Sequence, residues 1–396
     1  MANLPTVTEL LTRGVDTIYP SRAALEKRLK QKEPIKLYLG CDPTGPDLHV
    51  GHLVVLQKLR QFQQAGHKVV LLLGDFTGRI GDPTDKQATR QPLTQSEVVA
   101  NAQRFQRQVA RVLDFDGPNP ATIAFNSKWL SKLRFEDVVE LAGHFTVQQL
   151  LERDMFENRL KQGKPISLRE FLYPLMQGYD SVELAVDLEV GATDQTFNML
   201  AGRKLAKEYL GKEKFVLATP ILTDAGGRKI GKTEGNAIAI DAPAEDLYGQ
   251  LMALPDEVIV PASEWCTSQS RAHIQELAAL VKKNPRDAKM QMARAIVAEV
   301  NDEATALSAQ EAFVKRFQRH ELPDDIPAWK APAKAQDRRL WNVLRTSGLA
   351  SSSSEARRLI SQRAVRFDGV VTEDPDTLVE RGMVVQVGKK RALKIT

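Results

Sequence analysis

The chain is poor in cysteine. Its 396 residues hold two, Cys41 and Cys266, too few for a disulfide framework and without metal-site spacing. A reducing, cytoplasmic setting is the expectation. Long apolar runs are missing as well. None approaches the roughly 20 residues that a membrane-spanning helix needs, and the opening "MANLPTVTELLTRGVDTIYP" lacks the apolar core of a secretory signal, so no membrane partner is expected. There is no HExxH spacing and no Cys/His cluster among the six histidines, which gives no reason to expect a protein-bound metal. No internal repeat or long low-complexity tract occurs.

What is present is ordinary for a soluble globular protein: 42% hydrophobic and 27% charged residues. The length suggests two or three domains. The net charge is +5, and its placement says more than its size. From Asp337 to Thr396 there are 12 Lys/Arg against 7 Asp/Glu, so the basic excess sits in the tail. Such a tail suits a polyanion, nucleic acid first, or a solvated basic face.

"IKLYLGCDP" (Ile35–Pro43) reads as a buried strand, His49 to Ala65 as a helix with Val55, Leu59 and Phe62 on one face, and "KVVLLLGDF" as a second strand. Strand, helix, strand with short joins is a βαβ unit. "AVDLEVGATDQTFNMLAGRKLAKEYLG" repeats the pattern and "FVLATPILT" adds a strand. The predicted fold is α/β, a doubly wound Rossmann-like parallel sheet over 1–243, with ligands beyond the carboxyl ends of its strands. Residues 244–320 read as amphipathic helices, and 321–336, rich in proline, as a linker. Residues 337–396 read as a small α+β domain: Ser352 and Glu355 form a capping box, and "AVRFDGVV" a hairpin with an Asp-Gly turn.

"GGRKIGKT" (Gly226–Thr233) fits the phosphate-binding P-loop by letter. A P-loop needs a helix starting at its end, and "EGNAIAIDAP" cannot supply one. What remains is a glycine-rich loop with two lysines, suited to phosphates, or a solvated turn. "HVGH" (His49–His52) stands where the first helix begins. Its two imidazoles lie on one side of an end that already favours anions, and Gly51 between them leaves room for a flat base.

Taken together, "YLGCDPTGPDLHVGHL", "GRIGDPTDK", "YPLMQGYD", "GATDQTFN", "KIGKTEGNAI" and "SSSSEARRLISQRAVRFDGVV" resemble, in order and over nearly the whole chain, the class I aminoacyl-tRNA synthetases of the bacterial tyrosyl group. The tail resembles an S4-type RNA-binding domain. The resemblance implies tyrosine, ATP with Mg²⁺, and tRNA(Tyr) as partners, and a homodimer with its interface in an insertion over about 100–172, where Val138–Leu151 is apolar. It implies Thr44 and His49 at the leaving phosphates, His52 near the ribose, and Gly51 beneath the adenine. Lys229, Lys232 and Thr233 would close over pyrophosphate, with Lys86 and Arg90 on a second loop. Tyr38 and Asp180 would meet the substrate hydroxyl, and Asp82, Tyr173 and Gln177 the α-ammonium, with Gln195 in the same pocket. Asp42 and Asp194 would face the nucleotide. Arg357, Arg358, Arg363 and Arg366 would contact tRNA. Two departures stand out: Ala192 where many members have glycine, and Thr196-Phe197-Asn198 where many have Trp-Gly-Asn. A tryptophanyl enzyme and a non-catalytic RNA-binding relative on the same scaffold are the alternatives.

Overall fold

Short apolar runs broken by Gly, Asp and Pro become the strands of the first unit. The computed structural model describes residues 4–45, 47–82, 94–224, 226–231, 235–318, 327–332, 334–388 and 391–396. Its first sheet comprises β1 (Thr17–Tyr19), β2 (Lys36–Cys41), β3 (Lys68–Leu73), β4 (Thr122–Phe125), β5 (Leu188–Ala192) and β6 (Phe215–Thr219). Their order is β1-β6-β5-β2-β3-β4. β2 to β6 run parallel, and β1 closes one edge antiparallel to β6. The chain winds outward from β2 through β3 to β4, then returns to lay β5 on the other flank of β2. The order therefore reverses between β2 and β5, and the crevice beyond their carboxyl ends is the place for a ligand.

The chain divides into two compact units, Met1–Ala309 and Gln310–Thr396. In the first, the helix Val50–Gln64 follows β2, with His49 as its N-cap residue. The sequence predicts one apolar face for it. In fact Leu53, Val54, Leu56 and Leu59 are all buried, together with Gln57 and Lys58. The extra cover comes from the helix Ile259–Cys266, whose Cys266 carbonyl accepts from Gln57 Nε2 at 3.4 Å. Helices Leu168–Glu183 and Thr196–Leu210 pack closely side by side. Gly178 permits this approach: a Cβ there would lie 2.8 Å from Leu205 Cδ1.

The second unit holds a five-stranded sheet in the order β7-β11-β10-β8-β9, from β7 (Ala328–Trp329), β8 (Val365–Phe367), β9 (Val370–Val371), β10 (Val384–Val387) and β11 (Arg391–Ile395). Helices Leu340–Thr346 and Ser353–Ser361 cover it around Leu340, Leu344, Ile360 and Val385. The Asp368-Gly369 turn has φ of 45° and 83°, the left-handed pair that a tight hairpin requires. The capping box is displaced by one residue. Ser352 Oγ accepts from Glu355 N, but the Glu355 carboxylate returns to Ser351 N at 2.7 Å.

Candidate active site

A cavity of about 790 Å³ opens beyond the carboxyl ends of β2 and β5, within the size range of small-molecule sites. Eleven of the expected residues line it: Asp42, Thr44, His49, His52, Asp82, Tyr173, Gln177, Asp180, Asp194, Gln195 and Lys229. Lys86, Arg90, Lys232 and Thr233 lie outside the described residues. Tyr38 and Gly51 do not line the cavity.

Helix Leu168–Glu183 supplies one wall, because Tyr173, Gln177 and Asp180 recur at helical spacing on its inner face. Asp180 is 2% exposed and accepts from Trp129 Nε1 at 2.7 Å and Asn126 Nδ2 at 3.2 Å. Burial raises its pKa well above the usual carboxylate range, opposed by those two hydrogen bonds. Asn126 Nδ2 also donates to Thr77 Oγ1 at 2.9 Å, and Thr77 Oγ1 donates to Asp42 Oδ1 at 2.6 Å. The other oxygen of Asp42 accepts from the Tyr173 hydroxyl at 2.8 Å. A single hydrogen-bonded chain thus joins Asp180 to Tyr173. Burial pushes Asp42 up to about 7, with the Thr77 and Tyr173 bonds pulling it back. Gly74 makes room for this knot, since a Cβ there would fall 1.9 Å from Asp42 Oδ1.

Tyr38 is wholly buried among Val70, Leu72 and Leu184, and its hydroxyl lies 2.9 Å from the Oγ of Ser181, the neighbour of Asp180 on its helix. Gly51 differs from the expectation. A Cβ there would come within 3.0 Å of the Ile230 carbonyl and the His49 ring, so what approaches this glycine in the present structure is the Lys229–Gly231 tract.

The His49 and His52 rings lie against each other, tilted by 43° with centroids 3.9 Å apart. The His49 backbone N–H donates to His52 Nδ1 at 3.0 Å, which leaves the proton of a neutral His52 on Nε2. Burial, with the nearby Lys229 charge, lowers its pKa to about 4, so His52 is a neutral donor at physiological pH. Lys229 Nζ holds Asp194 Oδ2 at 2.6 Å. The resemblance implies Asp194 on the ribose and Lys229 over pyrophosphate; here the two pair with each other. Gln195 Nε2 donates to Asp82 Oδ2 at 2.7 Å, and Asn198 Nδ2 to Gln195 Oε1 at 3.0 Å. Thr223 and Lys229 form an isolated antiparallel bridge, and Asp224 Oδ1 accepts from Gly226 N and Arg228 N at 3.0 and 2.9 Å. Among the described residues the next helix starts only at Ala244. Residues 235–243 carry no helix, which speaks against the P-loop reading.

The comparisons follow this geometry. Residues 30–318 match the family described as tRNA synthetases class I (W and Y), and residues 338–385 match the S4 domain. The chain is 47% identical over 397 residues to the tyrosine--tRNA ligase of Moorella thermoacetica, covering 98% of this chain and 94% of that one. It is 43% identical over 400 residues to that of Carboxydothermus hydrogenoformans, with coverage of 98% and 97%. This chain belongs to the class I tyrosyl-tRNA synthetases. Among solved structures, a C-terminally truncated mitochondrial tyrosyl-tRNA synthetase from Coccidioides posadasii superposes with a TM-score of 0.64 at 26% identity, covering 77% of this chain and 91% of that one.

Several residues of this tyrosyl-tRNA synthetase site escape the sequence reading. Thr77, Asn126 and Trp129 hold Asp42 and Asp180 from segments far away in sequence, with no motif to flag them. Glu189 carried a signal: it is the one acid inside the apolar run of β5, and it is 1% exposed. Its partner Lys214, also fully buried, did not, since a lysine just before a strand usually reaches water. In the second unit Arg357, Arg358, Arg363 and Arg366 are all exposed. The Arg357 guanidinium lies 4.8 Å from the centre of the Trp341 ring, and Arg363 pairs with Glu373 at 3.1 Å.

Proposed function

We propose that this chain activates L-tyrosine with ATP to give tyrosyl-adenylate and pyrophosphate, then transfers the tyrosyl group to the 3′-terminal adenosine of tRNA(Tyr). One observation carries the reading. A single cavity joins a dry wall of phenol-binding character, Asp180 with Tyr173 and Gln177, to a cluster of neutral and cationic donors, His49, His52 and Lys229. In the first step the tyrosine carboxylate attacks the α-phosphorus. A carboxylate at neutral pH needs no general base, so the work is alignment and charge stabilisation. Asp180 accepts the substrate phenol proton and Tyr38 completes the pair at that hydroxyl; Asp82, Tyr173, Gln177 and Gln195 surround the ammonium. Phenylalanine would leave Asp180 short of a donor. His49 with Thr44 faces the leaving phosphates, and His52 Nε2–H the ribose side. Lys229 exchanges Asp194 for pyrophosphate, joined by Lys232, Thr233, Lys86 and Arg90; Asp194 is then free for the ribose hydroxyls.

Mg²⁺ would arrive on the ATP phosphates, which supply its hard oxygen ligands; among the described residues no group of three His, Cys, Asp or Glu could hold a metal. A homodimer fits the insertion, where Phe135, Val139, Val147 and Leu168 are exposed. The domain roles follow: catalysis within 1–243, anticodon-side contacts within 244–320, and tRNA phosphate and shape recognition by the S4 arginines. A cytoplasmic setting is consistent with two free cysteines, and no helix among the described residues is long and apolar enough to cross a membrane.

ATP–pyrophosphate exchange tests the reading. Tyrosine should support it and tryptophan should not. Exchange with tryptophan alone would reverse the substrate assignment, and exchange with neither would leave an RNA-binding protein without this chemistry.

A further inference from the structure

Behind the wall that carries Gln177 lies an ion pair that the activation chemistry does not use. Lys214 Nζ donates to the Glu189 carboxylate, to Ser181 Oγ at 2.8 Å and to the Met199 carbonyl at 3.2 Å. Its three N–H donors are all engaged, and its side chain has no exposure. Lys214 is not among the residues lining the cavity, whereas Glu189 and Gln177 are. The ammonium fits there because residue 202 is glycine: a Cβ would lie 2.5 Å from both Lys214 Nζ and Ser181 Oγ.

We infer that Lys214 is a positioning residue for tyrosine recognition, which acts through Glu189 to decide which end of the Gln177 amide faces the substrate. The inference rests on the reading that Gln177 accepts from the tyrosine ammonium. Glu189 Oε1 accepts from Gln177 Nε2 at 3.1 Å, and Oε2 from Lys214 and Ser181. An ionised carboxylate only accepts. Gln177 must therefore turn its NH₂ inward, and its carbonyl oxygen is left for the cavity. That oxygen is an acceptor, as an ammonium requires. Had Glu189 been an amide, the buried cation would still demand an acceptor. The amide oxygen would stay on Lys214 and its NH₂ would face Gln177. Gln177 would then turn over, presenting two N–H donors to the ammonium.

This logic makes an unusual prediction for isosteric variants of the full-length chain, read by ATP–pyrophosphate exchange. Glu189→Gln should raise the KM for tyrosine about tenfold or more, with the KM for ATP changed by less than about twofold. Adding Lys214→Met to Glu189→Gln frees the new amide to rotate, so the double variant should regain at least about threefold of the lost tyrosine affinity. A residue with a merely structural role gives losses that add. The inhibition constant of 3-(4-hydroxyphenyl)propionate, which lacks the ammonium, should stay unchanged in Glu189→Gln. Losses that add in the double variant, a wild-type tyrosine KM in Glu189→Gln, or equal weakening of the analogue would each overturn the inference. Gln177→Ala separates the two levels. If it leaves the tyrosine KM unaltered, the assignment of Gln177 itself fails and takes the inference with it. If it raises that KM while Glu189→Gln does not, the role of Lys214 alone fails.

Discussion

Asp180 and Lys229 line the same cavity, yet Asp180 is 2% exposed and the Lys229 side chain 44% exposed. Around Asp180 the polar groups are bonded within the protein: Asp180 to Trp129 and Asn126, Tyr173 to Asp42, Gln177 to Glu189. The Lys229 ammonium pairs with Asp194 at 2.6 Å. The difference suits the two tasks proposed for these groups. Discrimination between a phenol and a benzene ring needs acceptors that cannot relax to suit the wrong ligand. Leaving-group stabilisation needs charge that can change partner and then let go.

Asp180→Asn should break the rigid side most severely. Its amide NH₂ would confront the Trp129 or Asn126 donor, and kcat/KM for tyrosine should fall about 100-fold or more while the KM for ATP holds. An equal loss for ATP would mean that the two regions are not separable. Lys229→Met should lower the exchange kcat about tenfold or more with little change in the tyrosine KM; a shift confined to the tyrosine KM would contradict the division.

A smaller effect concerns stability, and its sign differs between the two sides. His52 has a folded pKa of about 4, below its ordinary 6.5. It contributes stability above pH 6.5 that is lost as pH falls towards 4. Asp42, raised from 3.8 to about 7, contributes stability below about pH 4 that is lost as pH rises through 7. Between pH 5 and 7 the two slopes oppose each other. After allowance for partial exposure, each is worth about 1 kcal/mol. Urea unfolding should therefore show stability falling from pH 5 to 7 in His52→Asn and rising in Asp42→Asn. Parallel slopes in the two variants would refute the assignment. On adenylate formation itself the least effect belongs to removal of the residues after Gln336. Exchange should be preserved and tRNA charging weakened about tenfold or more, and a joint loss would show that the tail supports the catalytic unit.

The fold was legible because its rules are local. Apolar runs and Gly/Asp punctuation mark β2, β3, β5 and β6, and the Asp368-Gly369 dipeptide marks a hairpin by itself. The cavity wall was legible for the same reason, since Tyr173, Gln177 and Asp180 share a helix face. What stayed hidden is contact between distant segments. Asn126 reaches Asp180 on a helix and Thr77 in the turn after β3, and no periodicity encodes that. A strand's alternation likewise says which face Tyr38 takes, not that its hydroxyl meets Ser181. The Glu355 cap slipped by one residue because Ser351 and Ser352 offer equivalent partners, and only the geometry of the turn chooses between them.

Gly202 also bears on how this pocket can change. Its missing side chain is the socket for the Lys214 ammonium, so any larger residue there evicts the cation and strands Glu189. Positions 189, 202 and 214 are therefore physically coupled. A library that randomises the visible pocket, Glu189 included, while keeping Lys214 and Gly202 fixed carries a hidden charge constraint into every clone. Reshaping the pocket for an amino acid other than tyrosine would best begin by varying the buried lysine together with the lining it governs.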